Sequence, residues 1–421
     1  MTIKDICKIT NGVYYGTHKK IKKIKIDSRE LKRGDLFIAL KGDHYDGHEF
    51  VSEKFVSVVS KKGKSNNVIV VKDTYEALYN LSEHFLKVKN PKVIGITGSV
   101  GKTMTKELIY LFLKTKYKVL KSVGNKNNHI GVPLTLLNLR NEDFVFLELG
   151  MNHKGEIKHL SNLVKPDLGV ITNVGSSHIG YLKNRKNIFK AKMEITSGMH
   201  KVNLVVSGDD SYLKKVKAYK CGLDFKNDLY AYNILSTLKK TTFNIKVDNK
   251  EYTVRTIPGS HLITNILLAI KVGLIYNVDI KDMLEIIESY KPLNNRMNII
   301  YKDFTLIDDC YNSSYESLMG VLKLIKKENK RNILIIGDIL ELGHKTKHYY
   351  AKILKYLNTF SNTEILLVGE NMKLIKKFKH FDTSSEVLTY LKTISLKDSI
   401  ILVKGSRMLK LETISNYLKK I

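Results

Sequence analysis

Residues 95–103 read Gly-Ile-Thr-Gly-Ser-Val-Gly-Lys-Thr, and these residue types are suited to holding a polyphosphate. Glycine lets the backbone turn its N–H groups toward an anion, and the N-terminus of a following helix adds a favourable dipole. Lys102 can reach the β- and γ-phosphates, and the Thr103 hydroxyl can ligate Mg²⁺. Gly98, Ser99 and Gly101 supply the turn itself. The strict spacing G-x-x-x-x-G-K-[ST] needs glycine where this chain has Ile96, so Gly95, Gly98 and Gly101 make a variant of it. A glycine turn ahead of an ordinary helix is the bland alternative; an apolar strand, three glycines and Gly-Lys-Thr together argue instead for ATP. Phosphoryl transfer also requires a metal carboxylate. Glu148, near the end of the apolar run 144–149, would stand at the carboxyl edge of a sheet, where such sites form. Taken alone, an acidic residue at a strand end is as often a cap.

These residues need elements to position them. The apolar stretch 92–97 reads as a buried strand, and residues 102–116 as the helix that follows the loop. Further apolar runs at 144–149, 168–174 and 204–207 alternate with helical patterns at 186–198 and 261–276. That alternation predicts a mostly parallel sheet covered by helices. Upstream lie short strands at 24–26, 36–40 and 68–71, and Asn90-Pro91 marks a boundary. A second boundary falls near Lys291-Pro292, followed by strands at 305–307, 333–336, 365–368 and 400–403. The expected architecture is α/β in three domains, 1–90, 91–292 and 293–421.

Composition narrows the function. The 421 residues are 43% hydrophobic and 27% charged, enough to bury two or three cores. The formal charge of +30 invites a nucleic-acid reading, but only eight of the 71 basic residues are arginine and the 63 lysines are spread along the chain. Nucleic-acid readers favour arginine forks and stacking aromatics, and no such module is evident. The densest basic run, residues 19–25, alternates and reads as a strand with a solvated face. Cys7, Cys221 and Cys310 are far apart with no metal-ligand spacing, as in a reducing compartment. The N-terminus lacks the apolar stretch of a signal peptide, and the run 263–276 is short and broken by Lys271. A cytoplasmic protein without membrane insertion or nucleic-acid partner is expected, and nothing demands an oligomer.

From Glu148 the chain reads ELGMNHKGEIKHLSNLVKPDLGVITNVGSSHIG and then KNIFKAKMEI. With GITGSVGKTMTKE and GNKNNHIGVPLTLLNL, this resembles the Mur ligase family. IDSRELKRGDLFIALKGDHYDGHEF, PGSHLITN, LNNRM, LIDDCYNSSYES, GDILELG and VKGSR extend the likeness over almost the whole chain. The resemblance implies a UDP-sugar domain, a central ATPase-like domain and a C-terminal Rossmann-like domain. It implies a ligase that phosphorylates the carboxylate of UDP-N-acetylmuramoyl-tripeptide with ATP and passes the acyl group to D-alanyl-D-alanine. Thr103 and Glu148 would hold the Mg²⁺ of ATP, with His178, at the end of the 168–174 strand, and a carbamylated Lys192 at a second metal. Lys102, His178, Lys192 and Arg296 would be catalytic, and Arg296 suits a γ-phosphate because its fork stays charged. Asn265 would contact adenine and Asp309 the ribose, with Tyr311 and Asn312 beside it. Ser28 and Arg29 would meet the uridine diphosphate, and Asn125, Asn127 and Asn128 the path of the UDP-peptide. His261 has a structural and a functional reading of equal weight. GDILELG, residues 337–343, is a candidate for the dipeptide region. Other amino-acid-adding ligases of the family, or a folylpolyglutamate synthase-like enzyme, are the nearest alternatives. A basic, non-catalytic nucleotide-binding protein is the alternative of another class.

Overall fold

The computed structural model describes residues 1–17, 20–328 and 330–421. Four sheets follow one another along the chain. The first has five strands in the spatial order Val13–Tyr15, Val68–Val70, Val56–Val59, Leu36–Ile38, Ile24–Lys25, parallel except for the first pair. Ile3–Thr10 and Thr74–Lys89 are its helices; Thr2 and Asp5 form a capping box on the first, and Asp73 caps the second. Asn90 then takes the left-handed conformation that ends the longer helix just before Pro91.

Seven parallel strands form the next sheet: Leu229–Tyr230, Tyr219–Gly222, Leu204–Ser207, Leu168–Ile171, Lys92–Thr97, Phe144–Glu148 and Val119–Lys121, in that order. The chain enters at Lys92–Thr97 in the interior, runs out to Val119–Lys121, and returns to build the other flank. The carboxyl end of Lys92–Thr97 is therefore a topological switch point, the usual place for a ligand crevice. Both faces are covered. Ile94 and Ile96 pack with Leu108, Phe112 and Ile266, whereas Val93 is buried with Val132, Ile157 and Ile188 on the other side. The helix Ile263–Ile275 is apolar nearly all round because it lies within that first core.

A third, antiparallel sheet of Tyr232–Ser236, Thr241–Val247 and Lys250–Thr256 was not anticipated. The last sheet has six strands, Asn298–Tyr301, Thr305–Asp308, Ser399–Lys404, Arg331–Gly337, Thr363–Val368 and Lys379–Phe381, with only the first pair antiparallel. Among the described residues no helix is long and apolar enough to cross a membrane.

Two expectations need correction. The basic run 19–25 is not one strand: Lys19 lies outside the described residues, Lys20 makes an isolated bridge to Thr2, and only Ile24–Lys25 is sheet. The strand expected at 168–174 ends at Ile171. Beyond it, Thr172 N–H still donates to the Thr97 carbonyl, and the next side chains grip the phosphate loop: the Thr172 hydroxyl donates to the Val100 carbonyl (2.6 Å), and the Asn173 amide both donates to and accepts from Val100. His178 is consequently in the loop beyond the strand, with φ 63°, rather than at its end.

Candidate active site

Gly101 has φ 88° and precedes the helix Lys102–Lys114 with no side-chain cap. The first-turn N–H groups of that helix are left without an internal acceptor, which is what an anion site requires. A Cβ on Gly98 would fall 1.8 Å from the Thr172 hydroxyl, and one on Gly101 only 2.3 Å from the Asn265 side chain. Glycine at both positions lets the loop sit directly on its supports. Ser99 is tied in through its hydroxyl, which accepts from Gly175 N–H at 2.9 Å. The Lys102 ammonium folds back onto the Gly98 carbonyl at 2.7 Å. Burial lowers its pKa, opposed by Glu148 and reinforced by Arg296. Thr103, next along the helix, is half-buried.

Glu148 is 5% exposed at the end of its strand, opposite Ile96 in register. One carboxylate oxygen accepts from the Asn127 side-chain amide at 3.0 Å, and the other stands 3.5 Å from the Lys106 ammonium. Asn128 turns its side-chain oxygen to the N–H groups of Ile130 and Gly131, while Asn125 is exposed. Beside Asn128, a groove of ≈ 850 Å³ opens between the start of the Thr74–Lys89 helix and Gly150, Asn152 and His159.

The 175–180 loop is held from the six-stranded sheet. Glu316, on the helix Tyr315–Ile325, accepts from both the N–H and the hydroxyl of Ser176, each at 2.8 Å. Glu341 puts its carboxylate 2.8 Å from His178 Nδ1, and its carbonyl accepts from Gly180 N–H at 2.7 Å. The imidazole holds the Glu341 carboxyl below its ordinary range against the effect of burial. Lys192, 1% exposed on the helix Arg185–Met193, has its pKa pushed well below the lysine range, first by burial and then by Lys102.

Arg296 lies with its guanidinium 3.8 Å over the Tyr311 ring, and Arg407 faces the same ring at 5.4 Å. Asp309 accepts from Met297 N–H at 3.1 Å and pairs with the buried Lys404 at 2.5 Å. Asn265 is 5% exposed against Gly101. Half-buried His261 packs on Gly320; burial and then Lys404 lower its pKa to about 4. Ser28 and Arg29 sit on a short turn in the first unit, where Arg29 forks onto Asp27 at 2.9 and 2.7 Å and is 87% exposed.

Thus Asn127 and Glu148 form one hydrogen-bonded cluster, Asn265 packs against the glycine before Lys102, and His178 is met by Glu341. Arg29 forms no part of that cluster. Sequence reasoning gave no role to Lys106, Lys404, Asn173, Glu316 or Glu341. All five lay in quoted motifs without an individual assignment, and Lys106, four residues after Lys102, shares its helix face. Among the described residues no three His, Cys, Asp or Glu side chains converge to cage a metal.

A phosphate loop at the switch point of a parallel sheet, faced by arginine and carboxylates from a second α/β sheet, defines a nucleotide-using enzyme of several units. Three family descriptions match in succession: Mur ligase family, catalytic domain, over residues 20–77; Mur ligase middle domain over 96–273; and Mur ligase, glutamate ligase domain, over 295–407. The UDP-N-acetylmuramoyl-tripeptide–D-alanyl-D-alanine ligase of Bacillus subtilis (strain 168) is 34% identical over 374 residues, covering 83% of this chain and 81% of the relative. A crystal structure of MurF from Acinetobacter baumannii superposes with a TM-score of 0.92 at 29% identity, covering 100% of this chain and 99% of the other. MurF ligase from Thermotoga maritima, in complex with ADP, gives 0.86 at 26% identity, with 95% and 97% covered. The chain belongs to the Mur ligase family.

Proposed function

We propose that the chain joins D-alanyl-D-alanine to UDP-N-acetylmuramoyl-tripeptide in an ATP-dependent reaction, forming the pentapeptide precursor of peptidoglycan. The observation that carries this reading is the meeting of two α/β units beside the phosphate loop, where Glu341 stands 2.8 Å from His178 Nδ1, Glu316 accepts two hydrogen bonds from Ser176, and Ser99 of the loop accepts from Gly175 N–H. We take residues 1–90, 91–292 and 293–421 as the UDP-sugar, ATP and closing units of a monomeric cytoplasmic enzyme.

Carboxylate and amine do not condense unaided in water, so the carboxylate must first become an acyl-phosphate. The free N–H groups after Gly101 and the Lys102 ammonium bind the β- and γ-phosphates, and Arg296 supports the γ-phosphate as charge develops. Asn265 contacts adenine and Asp309 the ribose. The terminal carboxylate of the tripeptide attacks the γ-phosphate and ADP leaves; the neutral dipeptide amine then attacks the acyl carbon, and the tetrahedral intermediate loses a proton and expels phosphate to give the amide. Asn125, Asn127 and Asn128, the neighbouring groove, and Ser28 with Arg29 guide the UDP-peptide. Residues 337–343 receive the dipeptide.

Thr103 and Glu148 would hold Mg²⁺ on ATP. A hydroxyl and one buried carboxylate fit this ion, which keeps phosphate and water ligands rather than a cage of protein groups. When bound, Mg²⁺ supplies charge neutralisation on the phosphates. His178 and Lys192 would serve a second ion. Carbamylation needs a neutral amine, and the environment of Lys192 favours that form.

Inorganic phosphate release is the test. Release that needs both UDP-N-acetylmuramoyl-tripeptide and D-alanyl-D-alanine, with the expected product mass, is predicted. Release driven by another amine or UDP-peptide would assign another ligase of the family, and its absence in a folded, ATP-binding protein would refute the activity.

A further inference from the structure

We propose that Lys106 is a positioning residue: it fixes the Glu148 carboxylate and, through it, couples the nucleotide site to the 124–128 loop. This rests on Glu148 receiving the Mg²⁺ of ATP and on that loop lining the UDP-peptide path.

Lys106 is 1% exposed. A lysine so buried needs a partner, because an unpaired ammonium out of water is costly. It lies one helical turn beyond Lys102, on the same face and away from the phosphate loop. Its ammonium donates to the Gly124 carbonyl at 3.2 Å and faces Glu148 at 3.5 Å. The other Glu148 oxygen accepts from the Asn127 side chain, and the backbone of Asn127 is held in turn by Asn125 O and Gly150 N–H, both at 2.8 Å. Glu148 N–H donates to Ser122 Oγ. The carboxylate is thus restrained at both oxygens and at its backbone, and each side-chain restraint belongs to or touches the 124–128 loop.

Buried ion pairs add little net stability, whereas removing one partner leaves the other uncompensated. The main consequence of this pair is therefore geometric. A carboxylate held by an amide on one side and a cation on the other cannot rotate, so it meets the metal in one orientation. Loop residues 124–127, by the same contacts, cannot shift without moving Glu148.

The test is calorimetry with ADP, with and without Mg²⁺, on the full chain and on Lys106→Met, Asn127→Ala and Glu148→Gln. Partners that orient a metal ligand change metal affinity by about 10- to 100-fold when removed. Lys106→Met is expected to lose about tenfold of the Mg²⁺-dependent gain in ADP affinity, with metal-free ADP binding within about twofold. In the same variant, Mg·ADP should no longer alter the affinity for UDP-N-acetylmuramoyl-tripeptide. Should Lys106→Met not fold, Asn127→Ala, on a half-buried loop side chain, is expected to lose a smaller part of the Mg²⁺-dependent gain, read with ADP alone because Asn127 also lines the UDP-peptide path. An unchanged Mg²⁺ gain in either folded variant, or equal loss with and without Mg²⁺, overturns the proposal. If Glu148→Gln keeps the full Mg²⁺ gain, the metal reading of Glu148 fails and the proposal with it. If Glu148→Gln abolishes the gain while Lys106→Met keeps it, only the role of Lys106 is refuted.

Discussion

Replacing Glu316 by alanine removes a clasp between two sheets without touching the phosphate loop. Its carboxylate takes two hydrogen bonds from Ser176, one from the backbone and one from the hydroxyl, and Ser176 itself is fully buried. Hydrogen bonds to a charged group contribute about 1.5–3 kcal/mol each. Glu316 is half-buried and water can enter the vacated space, so the lower figure applies, giving about 3 kcal/mol for the pair. At 1.4 kcal/mol per factor of ten, the closed arrangement is disfavoured by about 10²-fold. Part of that is absorbed if the closed form dominates at rest, so kcat/KM for the UDP-peptide is expected to fall by at least about tenfold. ADP affinity, set by the loop after Lys92–Thr97, should stay within a few-fold. Glu316→Gln keeps one acceptor and should lie between. The assay pairs substrate-dependent phosphate release with ADP calorimetry. An alanine variant within twofold of the parent in kcat/KM, or one losing ADP affinity as much as turnover, would refute the reasoning.

Arg296→Ala should lower turnover far more than ATP affinity, because its contact is made as the units close; equal losses in kcat and nucleotide binding would contradict that. Lys192→Ala should cost about 10- to 100-fold in turnover, and removing bicarbonate should lower parental activity reversibly but leave the variant unaffected. A parent insensitive to bicarbonate would exclude the carbamate. His261 titrates near 4 in the fold against 6.5 when exposed, so its contribution to stability is full above pH 6.5 and is lost as pH falls toward 4. That amounts to about 3 kcal/mol at most, and His261→Gln should flatten the acid side of the urea-midpoint profile; an unchanged profile would disprove the assignment.

Local chemistry was the part of the site that the sequence displayed best. The phosphate loop and its strand, Lys92–Thr97, could be placed from residue types alone, since the phosphate cradle is contiguous. Glu148 could be placed at the end of an apolar run, but its metal role came only from the resemblance of the stretch that follows. Where contacts are long-range, legibility failed: Glu316 meets Ser176 across 140 positions, and although both stand in quoted motifs, nothing in either motif pairs them. Lys106 was hidden for another reason, being one lysine among 63, where burial rather than type gives it meaning. The strand at 168–171 was drawn too long because Thr172 and Val174 are good strand formers, whereas the Thr172 and Asn173 side chains are recruited by a distant carbonyl instead. The antiparallel sheet was missed despite a visible pattern. Phe243, Ile245 and Val247 alternate inward, and Asp248-Asn249, both at positive φ, close the hairpin.

The packing of Asn265 against Gly101 also bears on how the chain is made. The Thr105 hydroxyl reaches the Asn265 carbonyl across 160 positions, and the whole antiparallel sheet is synthesised in between. At ribosomal speeds of about 5–20 residues per second, the phosphate loop waits roughly 8 to 30 seconds for this partner. During that interval the apolar face of the Lys102–Lys114 helix, with Leu108 and Phe112, has no Ile263–Ile275 helix to cover it. The nascent chain therefore presents a stretch suited to holding by a chaperone, and nucleotide competence arrives late in synthesis, after residue 265 has emerged and docked.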